Sequence, residues 1–257
     1  MTSKKGAFFF CLLMAMVCGL GACIGSNLTL EKERSKASRD LGEAYMNQKA
    51  YTRALREFLK AEEIYAKDPF LQNDLGLAYM AKKQYEKAIT HFQKALELKP
   101  DYTPARNNLG RAYLEKENWE AAIDCFKEAK DDLLYATPHY PLTNLGFVYF
   151  HKGDYEKSVR YYKKALDYMR NFPKALHGLG RVYMKTGRYN KAVEVLEKAA
   201  KEAPEEGRIY LDLGKAYRNI HQYNKSYKTF KKAAAMGKET EWGERAAKMA
   251  EEVWKFE

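Results

Sequence analysis

The five histidines have most to offer acid–base or metal chemistry, and their placement offers little. His91, His139, His151, His177 and His221 are scattered, with no HExxH pair and no second ligand one helical turn away. No GxxxxGK[ST] phosphate loop is present, and Gly178-x-Gly180 lacks the third glycine of a dinucleotide fingerprint. The four cysteines, Cys11, Cys18, Cys23 and Cys125, form no CxxC pair to hold a metal. Cys125, beside Phe126, reads as a buried thiol rather than a nucleophile. Carboxylates are spread over the chain as they are on solvated helix faces. The expectation is a binding protein, with no catalytic residues, metal, cofactor or small-molecule substrate. Lys and Arg number 45 against 34 Asp and Glu, a net charge of +11, and there are 20 Tyr, 12 Phe and 3 Trp. Cations on phosphates and rings on bases would suit a nucleic acid, so the placement of charges and rings decides that reading.

Lys4 and Lys5 precede fourteen uncharged, mostly apolar residues, Ala7 to Leu20. That is short for the ~30 Å of a bilayer core and matches the apolar region of a signal peptide. Leu20-Gly21-Ala22-Cys23 then resembles the lipobox of bacterial lipoproteins. The resemblance implies a leader over 1–22, cleavage before Cys23, diacylation of its thiol and further acylation (palmitate-type chains) of its amino group. Several acyl chains anchor a protein stably where one is marginal. Ile24 replaces the Asp that retains many such proteins at the inner membrane, so the expected location is the outer membrane of a two-membrane bacterium, facing the periplasm. An ordinary secretory signal with a chance cysteine is the other reading. Residues 23–34 are expected to be a lipidated tether, polar and without helical periodicity. Only Cys125 remains after processing, so no intramolecular disulfide is expected.

From Ser35 the chain repeats. Glycines at 42, 76, 110, 146, 180 and 214 are separated by 34, 34, 36, 34 and 34 residues. Leucine precedes each glycine, and tyrosine follows three residues later (Tyr45, Tyr79, Tyr113, Tyr149, Tyr183, Tyr217). A second ring falls nine after the glycine, then a small residue (Ala54, Ala88, Ala122, Ser158, Ala192, Ser226) and a large one (Phe58, Phe92, Phe126, Tyr162, Leu196, Phe230). Alanine closes each unit at 61, 95, 129, 165, 199 and 233. This pattern resembles the tetratricopeptide repeat. The resemblance implies an all-α fold over 35–238: a right-handed α-solenoid of six helix-turn-helix repeats stabilised by stacking neighbours. Proline in the first turn marks helix starts at Asp68-Pro69, Thr103-Pro104 and Phe172-Pro173. Trp242, Ala246, Met249, Ala250 and Val253 form one apolar helical stripe, so 239–257 is read as a capping helix (helical over 240–256). The extra two residues of the long step fall between Asp131 and Pro141. Many of the rings belong to repeat columns and the location is extracellular to the cytoplasm, which argues against a nucleic acid.

In the repeat family the first helix of each unit lines a groove, and positions −6, −3, +1, +4 and +5 from the glycine face it. The candidate contact residues are Phe70, Asn73, Leu77 and Met80 in repeat two, and Asn107, Arg111 and Leu114 in repeat three. Repeat four offers Tyr140, Phe147 and Phe150, with Thr143 and His151. Repeats five and six offer Lys174, His177, Arg181, Lys215 and Arg218, with Arg208. Phe70, Phe147 and Phe150 have a competing reading as packing against adjacent repeats. Basic and acidic residues balance over 23–138, whereas 139–257 carries 24 basic and 15 acidic residues. The groove is thus expected to change from apolar to basic. Lipobox, tether, six repeats and small cap together resemble the pilotins of type IV pilus systems (the PilF/PilW/Tgl group). This implies a protein partner, the secretin subunit, brought to the outer membrane and helped to multimerise. A lipoprotein adaptor for peptidoglycan hydrolases or proteases is the alternative.

Overall fold

The structure, a computed structural model, describes residues 27–132 and 134–255. The leader and Cys23 lie outside the described residues. Among those described, no strand is present and no helix is long and apolar enough to cross a membrane. The chain divides into two compact units, 1–116 and 117–257. Unit one contains α1 (27–47), α2 (Tyr51–Ile64), α3 (Pro69–Ala81), α4 (Tyr85–Leu98) and α5 (Thr103–Glu115). Unit two contains α6 (Trp119–Asp131), α7 (His139–His151), α8 (Tyr155–Tyr168), α9 (Pro173–Lys185), α10 (Tyr189–Glu202), α11 (Gly207–Asn219), α12 (Tyr223–Met236) and α13 (Glu241–Trp254).

Within each unit consecutive helices pair through one recurring contact. A Cβ built on Gly76 of α3 would lie 2.4 Å from the Phe92 ring of α4, and Gly42 stands in the same relation to Phe58. In unit two the corresponding pairs are Gly146 with Tyr162, Gly180 with Leu196 and Gly214 with Phe230. The large side chains of this column are buried, as are the small residues and closing alanines. Where the small residue is serine its hydroxyl is not wasted: Ser158 and Ser226 donate to the carbonyls of Gly146 and Gly214 at 2.7 and 2.8 Å. Burying a hydroxyl is tolerable when it finds such a partner.

The turn inside each repeat is also in register. Seven residues after the glycine the backbone enters the left-handed region, at Lys49, Lys83, Glu117, Gly153, Gly187 and His221, with φ between 57° and 78°. The residue after it returns its N–H to the column tyrosine, as in Gln84 to Tyr79 and Arg188 to Tyr183, both 2.9 Å. This satisfies a helix-end carbonyl otherwise left bare. Only Gly153 and Gly187 meet that conformation without a Cβ.

Three local readings change or sharpen. Residues 27–34, expected to be an irregular tether, are helical and open α1. The stretch holds no Gly or Pro and is rich in Leu, Glu, Lys and Arg, which lose little freedom in a helix. Leu28 and Leu30 are exposed, so no buried stripe marked it in the sequence. In the long step, α6 ends at Asp131 and α7 begins at His139; Pro141 sits inside the first turn of α7, where its missing N–H costs no helical bond. At the C-terminal side, Thr240 caps α13 by accepting from the Gly243 N–H, and Ala246, Ala250 and Val253 are buried.

Gly76→Ala tests the pairing contact. Alanine gains about 1 kcal/mol of helix propensity, but its methyl must displace a buried ring, an overpacking cost of about 1–3 kcal/mol. Urea unfolding should show a net loss of stability; an unchanged or raised midpoint contradicts the close approach.

Candidate protein-binding site

In unit one the predicted contact residues are engaged with one another. Phe70 is 44% exposed, with its ring edge-on to Tyr102 at 5.1 Å and the Arg39 guanidinium 5.7 Å from its centre. Arg39 holds Asp68 at 2.7 Å and Glu43 at 3.2 Å, with Asp74 at 3.8 Å. Burial and the neighbouring Glu43 charge push the Asp74 carboxyl up to about 7, against the pull of Arg39. This charged cluster replaces the apolar wall expected there. Asn73 and Asn107 are buried rather than open to a partner. Asn73 of α3 accepts from Asn108 of α5 at 2.9 Å, while exposed Arg111 donates to Asn108 at 3.2 Å. Leu77, Met80 and Leu114 are half-buried.

Unit two holds a cleft of about 900 Å³. Thr143, Asn144 and Phe147 of α7 form one wall, and Lys174, His177, Gly178 and Arg181 of α9 form the middle. Arg208, Ile209, Leu211 and Asp212 of α11, with Trp242 of α13, form the other wall, and Tyr162 of α8 and Phe172 also line it. Spacings of three, four and seven along α9 put its four residues on one face. The structure therefore brings together Phe147, Lys174, His177 and Arg181 of the expected set. Phe150 is elsewhere: it packs against the core near Tyr155, with the Arg181 guanidinium 4.8 Å above its ring. Its contacts are those of a residue packed against adjacent repeats. Tyr140 is 40% exposed and edge-on to Phe172 at 5.3 Å.

Not all of the basic residues are free. Asp212 bonds His177 Nε2 at 2.9 Å and Lys215 Nζ at 2.8 Å, and Arg218 lies 3.7 Å from Glu252. Lys174, Arg181 and Arg208 carry the cleft's available positive charge, since no ion pair holds them among the described residues. Asp212 and Trp242 were not among the expected contacts. Asp212 belongs to a column two residues before the repeat glycine that is polar in five of the six repeats, a signal present in the sequence. Trp242 was read only as part of the cap; its ring lies against Gly207 and Gly237, a contact that no helical period encodes.

Burial alone would raise the Asp212 carboxyl; the His177 hydrogen bond and the Lys215 ammonium instead hold it down to about 2. A carboxylate depressed on folding contributes stability above its unfolded pKa and loses it as pH falls through the folded one. The pair should therefore contribute about 2 kcal/mol near neutral pH, lost between about pH 4 and pH 2. Asp212→Asn should lower stability near neutrality and flatten that acid limb. An unchanged acid limb in the variant contradicts the pairing.

Family models described as TPR repeat or tetratricopeptide repeat match residues 76–116, 140–201, 27–69 with 177–237, and 105–135. No curated protein matches the chain. Among solved structures, PilF from Pseudomonas aeruginosa is 20% identical with a TM-score of 0.73, covering 84% of this chain and 97% of its own. PilW, a widely conserved type IV pilus biogenesis factor, is 22% identical with a TM-score of 0.75, covering 83% of this chain and 98% of its own. A chain of the APC/C heterotetramer Cut9–Hcn1 reaches 0.76 at 16% identity, but only 43% of that chain is covered. At such identities the likeness speaks for the fold. With the in-register columns and paired helices, it leads to one family: this chain is a tetratricopeptide-repeat protein, structurally similar to the type IV pilus group.

Proposed function

We propose that this protein is a pilotin of a type IV pilus system: a scaffold that binds secretin subunits and promotes their localisation and multimerisation at the outer membrane. What carries the reading is the near end-to-end correspondence with two pilus proteins, 97% and 98% of whose chains are covered. In this reading acyl chains on Cys23 hold the protein at the periplasmic face of the outer membrane. The cleft of unit two then captures a segment of the subunit. Phe147 and Trp242 supply apolar anchoring, and Lys174, Arg181 and Arg208 supply orientation. Tethering capture to the membrane raises the local concentration of subunits where they must assemble.

Deleting the gene should remove surface pili and heat-resistant secretin multimers. Normal pili with altered wall turnover would instead favour an adaptor of peptidoglycan hydrolases and overturn the proposal. Cys23→Ala should move the protein from the membrane to the soluble fraction, and unchanged partitioning refutes the anchor. Phe147→Ala should weaken secretin copurification with a melting temperature close to wild type. A large drop in melting would assign that ring to the core.

A further inference from the structure

Two residues before the repeat glycine stand Asp40, Asp74, Asn108, Asn144, Gly178 and Asp212. Five repeats carry a side-chain oxygen at this position and the fifth carries none. The reason lies beneath it. A Cβ built on Gly178 would sit 2.3 Å from Cζ and 2.5 Å from the hydroxyl oxygen of Tyr162. The phenol passes under α9 and reaches the cleft at the point where the polar column is interrupted. Tyr162 is itself an exception, the one tyrosine in a column otherwise of Phe and Leu. It is 3% exposed, and its hydroxyl, on the lining of the cleft, has no hydrogen-bond partner among the described residues.

Lys174 and Arg181 flank Gly178 on the same face of α9, seven residues and about 10.5 Å apart along the helix. Of the two carboxylates that line the cleft, Asp212 is already held by His177 and Lys215, and Glu206 is exposed to solvent. Burial raises the Tyr162 phenol and the Arg181 charge opposes this only in part, so the group stays protonated and able to donate. Apolar rings stand on both sides of this point, Phe147 on one and Trp242 on the other.

We propose that the cleft contains a carboxylate pocket over Gly178, in which Tyr162, Lys174 and Arg181 receive the Asp or Glu side chain of a partner segment. This rests on the reading of the cleft as the partner-binding site. The Tyr162 O–H donates to one carboxylate oxygen while the two cations neutralise the charge, a charge-assisted arrangement stronger than a neutral hydrogen bond. Because apolar rings stand on both sides, the chain continues past the pocket and the acid is a side chain flanked by apolar residues.

The test uses two N-acetylated, C-amidated nonapeptides with a central glutamate or glutamine between leucine and phenylalanine, read by fluorescence anisotropy with purified protein. Wild type should bind the glutamate peptide roughly tenfold more tightly. Tyr162→Phe should remove most of that preference and leave the glutamine peptide unaffected; phenylalanine fills this column in four other repeats, so the fold is kept. Lys174→Gln, at an exposed position, should reduce the preference as well. Equal affinity for the two peptides, binding of neither, or an undiminished preference in Tyr162→Phe overturns the proposal. Pili lost on gene deletion together with equal peptide affinities would refute the pocket alone. A clear glutamate preference with intact pili would refute only the pilotin reading.

Discussion

Two helices can lie this close only where one of them presents bare backbone, and the helix pairs formed at Gly42, Gly76, Gly146, Gly180 and Gly214 depend on that constraint. The ring or branched side chain of the second helix is pressed onto a glycine of the first, which fixes both the separation and the register of the pair. The buried alanines and serines follow from the same closeness, since nothing larger fits beside the wedge. Tyr162 shows how the constraint becomes chemistry. It fills the glycine contact of its own repeat at Gly146, and its longer ring extends to Gly178 in the next. One extra oxygen on a packing residue thus reaches the wall of a cleft.

The repeat architecture was legible because its determinants are single residue types at fixed spacing. The glycine, tyrosine and alanine columns are each repeated six times, and the glycine and alanine contacts they predicted are short-range ones within a helix pair. The binding surface was less legible. Position relative to the glycine predicted which residues face the groove, but not which of them neighbours would occupy. Phe150 at +4 is covered by Arg181, and Asn73 at −3 is taken by Asn108. The opening of α1 was missed because propensity, not an apolar stripe, forms it. Trp242 was missed as a wall because its contact with Gly207 joins residues with no common period.

Electrostatics carries the same lesson. The sequence places +9 of its net +11 in residues 139–257, yet the cleft draws on only part of it. His177 and Lys215 share Asp212, and Arg218 faces Glu252. What remains is Lys174, Arg181 and Arg208 beside apolar walls, with Glu206 as an exposed carboxylate at the edge. Charges spent on internal pairs stiffen the walls; those left unpaired can select a partner. In unit one the balance is reversed, since Arg39 is surrounded by carboxylates, one of which, Asp74, is pushed up to about 7 by burial and by Glu43.

Site-specific photocrosslinking in intact envelopes tests the account most directly. A photoreactive amino acid is placed at Phe147 in the cleft and, as a control, at exposed Lys191 on α10, and the captured peptides are sequenced. The account predicts a secretin segment joined at Phe147 and not at Lys191, with an acidic residue among apolar neighbours. Secretin captured equally at both positions, or a cleft occupant lacking any acidic residue, would contradict it.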